Sequence, residues 1–244
     1  MSEEHILVKK GRECFEKPKE NSVHLVGNED ANALLNDLCK FPHAYVLSCI
    51  MDRQVKAEMA WMVPFKIRNI LGSFDMKTLS EKSEEDYKKI FKDYNLHRFT
   101  DVMATVFYKA IQRIHNTYHD DASNIWKGRP SSAAVVYRFL EFEGVGIKIA
   151  TMATNILARQ FKVPFSDYCS IDVSPDVHVK RVMKRMGLVN SNDNDKIIYK
   201  ARELNPEFPG IIDYSLWEIG RTWCKAKKAN CEGCSVCEEC LKIL

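Results

Sequence analysis

The spacing of apolar residues along most of the chain is that of α-helices. Between residues 98 and 115, apolar side chains recur at intervals of three and four positions, which aligns them on one face of a helix. Ser83, which is followed by three acidic residues, is a typical helix N-cap. The same periodicity predicts helices over residues 31–40, 43–51, 54–61, 131–141, 147–160, 177–186, 193–204 and 210–223. The pattern therefore predicts an all-α fold.

The first thirty residues have a different pattern. Residues 11–16 and 22–26 alternate between apolar and polar side chains, which is typical of short strands. We therefore expect a weak β-hairpin or an irregular segment at the N-terminus. The rest of the chain contains no visible internal repeat and no low-complexity linker.

The length and composition of the chain fit one large domain or two small ones. Of the 244 residues, 45% are hydrophobic, which is enough for an ordinary buried core. No stretch approaches the roughly 20 apolar residues that a membrane-spanning helix requires. The N-terminus has neither the basic nor the apolar segment of a signal peptide. These features predict an intracellular protein without a membrane partner, cytoplasmic and nucleoid-associated if the source is prokaryotic.

Five of the nine cysteines lie close together near the C-terminus: Cys224, Cys231, Cys234, Cys237 and Cys240. In a reducing compartment, clustered thiols indicate metal binding or redox chemistry rather than disulfides. When Cys237 is left out, the other four cysteines are separated by six, two and five residues. This spacing fits a loop around an iron–sulfur cluster. The run of four cysteines spaced by x2 resembles a ferredoxin motif. Four thiolates would equally suit zinc, so the metal stays open at this point.

Basic residues are clustered, although the net charge of the chain is only +3. One cluster, Lys180–Arg185, follows a candidate catalytic segment. A second, Lys225, Lys227 and Lys228, lies inside the cysteine-rich loop. Each cluster alone is typical of a solvated surface, but their positions beside candidate functional elements favour contact with phosphates.

A glycine-rich turn separates the predicted helices 131–141 and 147–160. Glycine at positions 144 and 146 allows a tight turn and a close approach of the backbone to another molecule. The amides of Val145, Gly146 and the following residues then point outward from a helix N-terminus, which favours a bound phosphate. A plain turn between two helices is the alternative. Lys148 lies directly after this turn, in the first turn of the second helix.

Asp176 lies at the predicted start of another helix. Pro175 precedes it, and its position is that of an N-cap carboxylate. An amine nucleophile and a fixed carboxylate together suit cleavage of a nucleotide's glycosidic bond. The amine of Lys148 would attack the anomeric carbon, and the carboxylate would stabilise the positive charge that develops on the sugar.

These motifs resemble those of the helix-hairpin-helix DNA glycosylases, specifically the endonuclease III branch. Residues 143–148 (E-G-V-G-I-K) resemble the family's hairpin, and residues 176–182 (D-V-H-V-K-R-V) resemble its catalytic segment. Residues 217–240 resemble its C-terminal cluster loop. Met51-Asp52-Arg53-Gln54 occupies the place of a helix end that bears a DNA-inserting glutamine. The resemblance runs from about residue 38 to residue 244.

The resemblance implies two helical domains that flank a DNA-binding cleft. A helical barrel domain is expected over residues 38–162, with the helix-hairpin-helix at about 131–160. Residues 1–37 and 163–244 are expected to form a discontinuous iron–sulfur cluster domain. The implied activity is that of a bifunctional DNA N-glycosylase and AP lyase, acting by base flipping and a Schiff base, with oxidised pyrimidines as the default substrate. The alternatives are another lesion (uracil or mispaired thymine, oxidised guanine, alkylated purine) or a non-catalytic, metal-stapled DNA-binding protein.

The resemblance also assigns residues to these roles. Lys148 and Asp176 are the expected catalytic pair, and the expected partner is duplex DNA containing a damaged base or an abasic site, bound by a monomer. The expected DNA contacts are Arg53, Gln54, Gly144, Val145, Gly146, Lys225, Lys227 and Lys228. A 4Fe-4S iron–sulfur cluster is the expected cofactor. Its expected ligands are Cys224, Cys231, Cys234 and Cys240, with Cys237 as a spare thiol.

The chain departs from the family pattern at two positions that matter for the site. Glu143 replaces the family's hairpin proline and brings an acid close to the expected phosphate site. The segment between Lys148 and Asp176 is longer than in the common bacterial enzymes, which leaves Asp172 as a rival for the catalytic carboxylate. We prefer Asp176 because His178 and the basic helix follow it in register.

Overall fold

A computed structural model describes residues 4–18 and 22–243, and this part of the chain is helical without any strand. The predicted all-α fold is therefore confirmed. The α-helices are α1 (Ile6–Glu16), α2 (Glu29–Asn36), α3 (Pro42–Met51), α4 (Ala57–Trp61), α5 (Val63–Leu71), α6 (Met76–Ser80), α7 (Glu84–Asp93), α8 (Thr100–Tyr118), α9 (Ser132–Leu140), α10 (Ile147–Arg159), α11 (Val177–Arg185), α12 (Asn194–Leu204) and α13 (Asp213–Thr222). Short 3₁₀ helices cover Ala122–Ile125 and Pro209–Ile212. None of the described helices combines the length and apolarity needed to cross a bilayer.

Local capping explains where several helices begin. At α7, the Ser83 side chain accepts from the Asp86 amide while the Asp86 carboxylate accepts from the Ser83 amide, which forms a capping box. Asn28 caps α2, and Asp193 caps α12. Pro64 lies in the first turn of α5, where its missing N–H costs nothing.

The chain divides into two compact units. Unit 1 comprises Met1–Lys19, Pro130–Val136 and Ala150–Leu244, and unit 2 comprises Glu20–Arg129 and Tyr137–Ile149. The division falls within α10, and the side chains of its C-terminal part pack inside unit 1. For example, Asn155 Nδ2 donates to the Gly210 carbonyl at 2.7 Å. In unit 2, α2 packs on α3 and α5.

The core of unit 2 is built around α3, in which every residue is buried. Tyr45 of α3 packs edge-on against Trp61 and Trp126, with ring centroids 5.9 and 6.1 Å away. His43, also on α3, stacks on Phe74, and its Nε2 lies 2.7 Å from the Phe74 carbonyl oxygen. A helix buried on all sides gives its ends a fixed position, and the turn that follows Met51 leads into the candidate site.

The expectation of an N-terminal hairpin or irregular segment is wrong for residues 11–16, which belong to α1, whereas residues 22–26 are irregular. The buried residues of α1 are Leu7, Val8 and Gly11, which share one helical face. Gly11 is required by close packing, since a Cβ at this position would lie 2.3 Å from the Ile211 carbonyl oxygen. The short alternation of residues 11–16 was therefore part of a helical pattern that begins earlier.

Candidate functional site

The glycine turn lies between α9 and α10 in the hairpin that the sequence predicts. Phe142 and Val145 are buried, and the Val145 amide donates to the Phe142 carbonyl at 3.1 Å, which closes the turn. Gly144 has a φ of +79°, a conformation that favours glycine. Gly146 is exposed, and its carbonyl accepts from the Ile149 amide at 3.0 Å as α10 begins.

The two glycines of the turn have different surroundings. A Cβ on Gly144 would meet Arg53 Nη1 at 2.6 Å and Val106 Cγ2 at 3.5 Å. A Cβ on Gly146 would meet nothing within 4 Å. Gly144 is therefore required by the fold of unit 2, whereas packing within the chain does not require glycine at position 146. The exposed backbone at Gly146 is free of steric cover and can approach another molecule closely.

Lys148 is the second residue of α10, directly behind the turn. Its Nζ lies 3.8 Å from Oδ2 of Asp52, the residue that ends α3. The Lys148 side chain is 43% exposed and the Asp52 side chain is 12% exposed, so the amine reaches solvent while its carboxylate partner is mostly covered. The hairpin thus presents an accessible amine beside a helix N-terminus.

Arg53 and Gln54, which were predicted to contact DNA at the end of α3, have different surroundings. Arg53 folds back over Gly144, with its Nη1 3.9 Å from Met103 Sδ. Gln54 is exposed and has a φ of +56°, an uncommon conformation for a residue other than glycine. Arg53 therefore supports the hairpin, and Gln54 is the residue of this turn that projects to the surface.

His97 is hydrogen-bonded to the end of α3, next to the turn that contains Arg53 and Gln54. Its Nε2 lies 3.2 Å from the Met51 carbonyl oxygen, and its Nδ1 accepts from the Phe99 amide at 3.1 Å. An imidazole that accepts at Nδ1 must donate from Nε2, so the ring is neutral. Burial lowers the pKa of His97, opposed by its bond to the Met51 carbonyl. The neutral ring keeps the end of α3, and with it Asp52, in place.

Glu143, the acid that replaces the hairpin proline, is paired within unit 2. Lys109 of α8 donates to both carboxylate oxygens, at 2.9 and 2.7 Å. The acid is therefore compensated by a neighbouring cation and is not left as an isolated negative charge beside the turn. Lys109 was not predictable as its partner, because nothing in the local pattern of α8 connects Lys109 to a residue so distant in the chain.

Asp176, in unit 1, is the N-cap residue of α11, as the sequence predicts. Its Oδ1 accepts from the amides of His178 and Val179, both at 2.8 Å. The side chain is half-buried, so the carboxylate has a fixed orientation and still has solvent access. The rival residue Asp172 is buried and forms a two-pronged ion pair with Arg202, at 2.8 Å for each bond.

Two arginines of α11 connect this helix to the cysteine-rich loop. Arg181 donates to the carbonyls of Gly220 and Cys224 at 2.7 and 2.6 Å, and to His178 Nδ1 at 2.9 Å. Arg185 donates to the carbonyls of Lys225 and Ala226 at 2.8 and 3.0 Å. Both guanidinium groups are therefore engaged by the protein, and the exposed cations of this region are elsewhere, among them Lys184, Lys225, Lys227 and Lys228.

The five C-terminal cysteines line one cavity in unit 1. They are Cys224, Cys231, Cys234, Cys237 and Cys240. The remaining wall is largely apolar and includes Val182, Met186, Ile219, Trp223 and Val236. Burial raises the pKa of the Cys234 thiol, and the neighbouring Cys224, Cys240 and Cys237 raise it further. The structure gathers the predicted ligands but also includes Cys237, which the sequence had set apart.

Hydrogen-bond donors lie beside two sulfurs of the cysteine cavity. Among the described residues, no three or more His, Cys, Asp or Glu side chains are arranged to hold one metal ion. Arg185 Nη1 lies 3.5 Å from Cys224 Sγ, and the Lys242 amide lies 3.4 Å from Cys240 Sγ. Several thiols in an apolar cavity, with donors directed at the sulfurs, form a set that fits an iron–sulfur cluster.

The all-helical architecture with this hairpin defines the fold of the helix-hairpin-helix DNA glycosylases, and comparison with solved structures confirms the resemblance at the level of the fold. The chain matches a trapped covalent intermediate of endonuclease III with DNA at a TM-score of 0.61 and 16% identity, over 96% of each chain. It matches a thermostable thymine-DNA glycosylase at 0.61 and 14%, over 96% of this chain and 94% of that one. An 8-oxoguanine glycosylase/lyase from Clostridium acetobutylicum, bound to duplex DNA, matches at 0.56 and 18%, over 79% and 67%.

Similarity in sequence is more limited. A stretch of 71 residues is 31% identical to the adenine DNA glycosylase of Arabidopsis thaliana. This stretch spans 27% of the present chain and 11% of that relative. No protein-family model matches the chain.

Proposed function

We propose that this protein is a DNA glycosylase with an associated AP lyase activity. The observation that carries the proposal is the position of Lys148, an accessible amine in the first turn of α10, directly behind an exposed glycine backbone. In the same fold, endonuclease III forms a covalent intermediate with DNA. An amine nucleophile at this hairpin accounts for both base release and strand cleavage.

DNA binding is proposed to rest mainly on backbone phosphates. The exposed backbone at Gly146 and the positive end of the α10 helix dipole would favour a bound phosphate. The exposed lysines 225, 227 and 228 would add salt-dependent contacts. Gln54, exposed on its left-handed turn, would fill the space that a flipped nucleotide leaves in the stack. Arg53 contributes indirectly by holding the hairpin at Gly144.

The proposed chemistry uses two residues. Lys148, as the neutral amine, forms a bond from Nζ to C1′ while the bond from C1′ to the base breaks, and the base leaves with the bonding electrons and takes up a proton. Asp176 stabilises the positive charge that develops on the sugar. The C1′–O4′ bond of the resulting aminal then breaks, O4′ takes up a proton from solvent, and a protonated Schiff base forms between Nζ and C1′. The Schiff base loses a proton from C2′, and the 3′ phosphate leaves by β-elimination.

The cofactor is proposed to be a 4Fe-4S cluster held by Cys224, Cys231, Cys234 and Cys240. Its contribution when bound is structural, since thiolate ligation would fix the loop that carries the three exposed lysines. Purified protein should contain iron and acid-labile sulfide. Cys237→Ser should keep both, and Cys224→Ser should lose both; zinc in place of iron, or loss of iron in both variants, would contradict the assignment.

The decisive test of the activity does not require knowledge of the lesion. Duplex DNA with a preformed abasic site is incubated with the protein and borohydride, which reduces a Schiff base to a stable covalent adduct. We expect a trapped complex with the wild type and none with Lys148→Ala. Trapping and nicking that persist in Lys148→Ala would show that another residue is the nucleophile.

Asp176 and Asp172 are distinguished by comparing their asparagine variants. Asp176→Asn should lose base excision while it keeps DNA binding and a near-normal unfolding temperature. Asp172→Asn should mainly lose stability, on the order of 2 kcal/mol, because it breaks a two-pronged pair with a half-exposed partner, Arg202. Normal excision by Asp176→Asn together with loss of excision by a folded Asp172→Asn would reverse the assignment.

Oxidised pyrimidines are the proposed substrates. A panel of duplexes should include thymine glycol, uracil or thymine opposite guanine, 8-oxoguanine opposite cytosine, adenine opposite 8-oxoguanine, and an alkylated purine. The named relatives act on thymine, 8-oxoguanine and adenine, so these are the alternatives that the panel must contain. Preferred excision of thymine glycol would support the default, and preference for another duplex would replace it.

A further inference from the structure

The segment that leads to Asp176 is extended and buried. Asp172, Val173 and Ser174 are covered by unit 1, although none of them belongs to a helix. A buried backbone without helical hydrogen bonds needs other partners for its amides and carbonyls. At the start of the segment, the Ile171 carbonyl accepts from the Gly210 amide at 2.6 Å. The partner at the end of the segment is a carboxylate.

Asp213, the first residue of α13, provides that carboxylate. Its Oδ1 accepts from the Ser174 amide at 2.6 Å, a bond between a charged acceptor and a buried donor. The Ser174 hydroxyl also lies 3.4 Å from Thr151 Oγ1. Such charge-assisted bonds are stronger than bonds between neutral groups, and the loss of an acceptor is costly for a donor on a buried residue.

Ser174 connects Asp213 to Asp176 through two hydrogen bonds. The Ser174 carbonyl accepts from the Asp176 amide at 2.6 Å, so a tight turn joins the residue that Asp213 holds to the N-cap of α11. The Asp176 carboxylate is in turn oriented by the amides of His178 and Val179. Asp213 and Asp176 are therefore linked through a single intervening residue, although they are distant in sequence.

We propose that Asp213 is a positioning residue for the Asp176 carboxylate, and this inference rests on the proposed glycosylase function. Without Asp213, the Ser174 amide loses its acceptor and the extended segment relaxes. Stabilisation of charge in a transition state depends steeply on position, and a displacement of about 1 Å costs on the order of 100-fold in rate. Release of the base should therefore slow without loss of DNA affinity.

The two steps of the proposed reaction can distinguish a displaced Asp176 carboxylate from a general loss of structure. Excision of a base requires cleavage of the glycosidic bond and depends on Asp176. A preformed abasic site has no base to release, so Lys148 reaches its Schiff base without that step. A defect confined to the position of Asp176 should therefore slow excision and leave trapping on abasic DNA unaffected.

The experiment compares wild type, Asp213→Ala, Asp213→Asn and the control Glu218→Ala, which removes another carboxylate from α13. Excision kinetics are measured on whichever panel duplex the wild type cleaves fastest, and borohydride trapping on abasic duplex. For Asp213→Ala we expect kcat for excision to fall by roughly 10- to 100-fold. KM and abasic trapping should be unchanged. Asp213→Asn should recover part of kcat, because its amide oxygen still accepts from Ser174, and Glu218→Ala should match wild type.

Wild-type excision kcat in a folded Asp213→Ala would overturn the inference, as would a parallel loss of abasic trapping or an equal loss in Glu218→Ala. If Asp213→Ala does not fold, Asp213→Asn decides. Slower excision with normal trapping supports the inference, and unchanged excision overturns it. Failure of the proposed function has a different signature: the wild type excises no base in the panel, or Asp176→Asn excises normally.

Discussion

At the scale of single residues, the two glycines of the hairpin have separable consequences. Gly144 has a positive φ and lies against Arg53, so the fold of unit 2 itself requires glycine at this position. Gly146 has open space where a Cβ would project. Glycine at position 146 is then best explained by an external partner that comes close to the backbone.

The first prediction compares Gly144→Ala with Gly146→Ala. Gly144→Ala should cost roughly 1–2 kcal/mol of stability, because a left-handed conformation is unfavourable for alanine. Gly146→Ala should leave the unfolding temperature unchanged and weaken binding to abasic duplex by about tenfold, the equivalent of one weakened phosphate contact. Thermal unfolding and a DNA titration measure the two effects. Equal DNA affinity in wild type and Gly146→Ala would argue against a phosphate at this turn.

The residues that the sequence could predict are those whose position depends on local structure. Lys148 and Asp176 lie in the first turn and at the N-cap of their helices, and both positions follow from the helix boundaries alone. The residues that hold this site together come from distant segments: Asp52 pairs with Lys148, Asp213 accepts from Ser174, and Lys109 pairs with Glu143. Contacts of that kind depend on packing between helices, which a single sequence does not encode in any local pattern.

At the scale of elements, α11 combines the proposed catalytic carboxylate with an anchor for the cysteine-rich loop. Asp176 caps its first turn, and Arg181 and Arg185 bind backbone carbonyls of the loop. The sequence interpretation took the whole basic run as a phosphate-binding face. The structure instead uses alternate members of the run for different purposes, since Lys184 is exposed while Arg185 is engaged.

The second prediction concerns the protection of this loop. Arg185→Ala removes the donors to the carbonyls of Lys225 and Ala226, so the bond after Lys225 should become more accessible to trypsin. Cleavage in the loop, followed by mass spectrometry, should be several-fold faster than in wild type. Lys184→Ala, a neighbouring cation on the same helix, should be cleaved in the loop at the wild-type rate. Equal rates in all three proteins would mean that the arginine does not restrain the loop.

Most helices were predictable because their apolar stripes are long enough to establish a period. The predicted helices over 43–51 and 147–160 correspond to α3 and α10 within a residue or two. The N-terminal helix α1 was missed because its buried face rests on Leu7, Val8 and a glycine. Glycine carries no hydrophobic signal, and its role at position 11 depends on the approach of a distant carbonyl.

At the scale of the whole molecule, three histidines link stability to pH. Burial lowers the pKa of His5 in unit 1 and of His43 and His97 in unit 2. Their pKa values in the folded protein lie below the ordinary value of 6.5, so folding favours the neutral rings. The stability that they contribute is present above about pH 6.5 and is lost as the pH falls below it.

The third prediction follows from His43, which is buried and stacks on Phe74. The wild-type unfolding temperature should be nearly constant between about pH 8 and 7 and should fall as the pH drops towards 5.5. His43→Gln should be less stable at neutral pH, because it loses the stack on Phe74, but it should lose less on acidification. A curve for His43→Gln parallel to that of the wild type would exclude His43 as a source of the dependence.

The contact between Gly11 and Ile211 has a consequence for the order in which the protein is made. A ribosome completes α1 long before it reaches Pro209–Ile212, the segment on which α1 packs. During that interval Leu7 and Val8 have no native surface to cover them, whereas most of unit 2 is contiguous and can fold as it emerges. Unit 1 therefore closes only after Pro209–Ile212 has been synthesised, and until then the apolar face of α1 is exposed to chaperones and to aggregation.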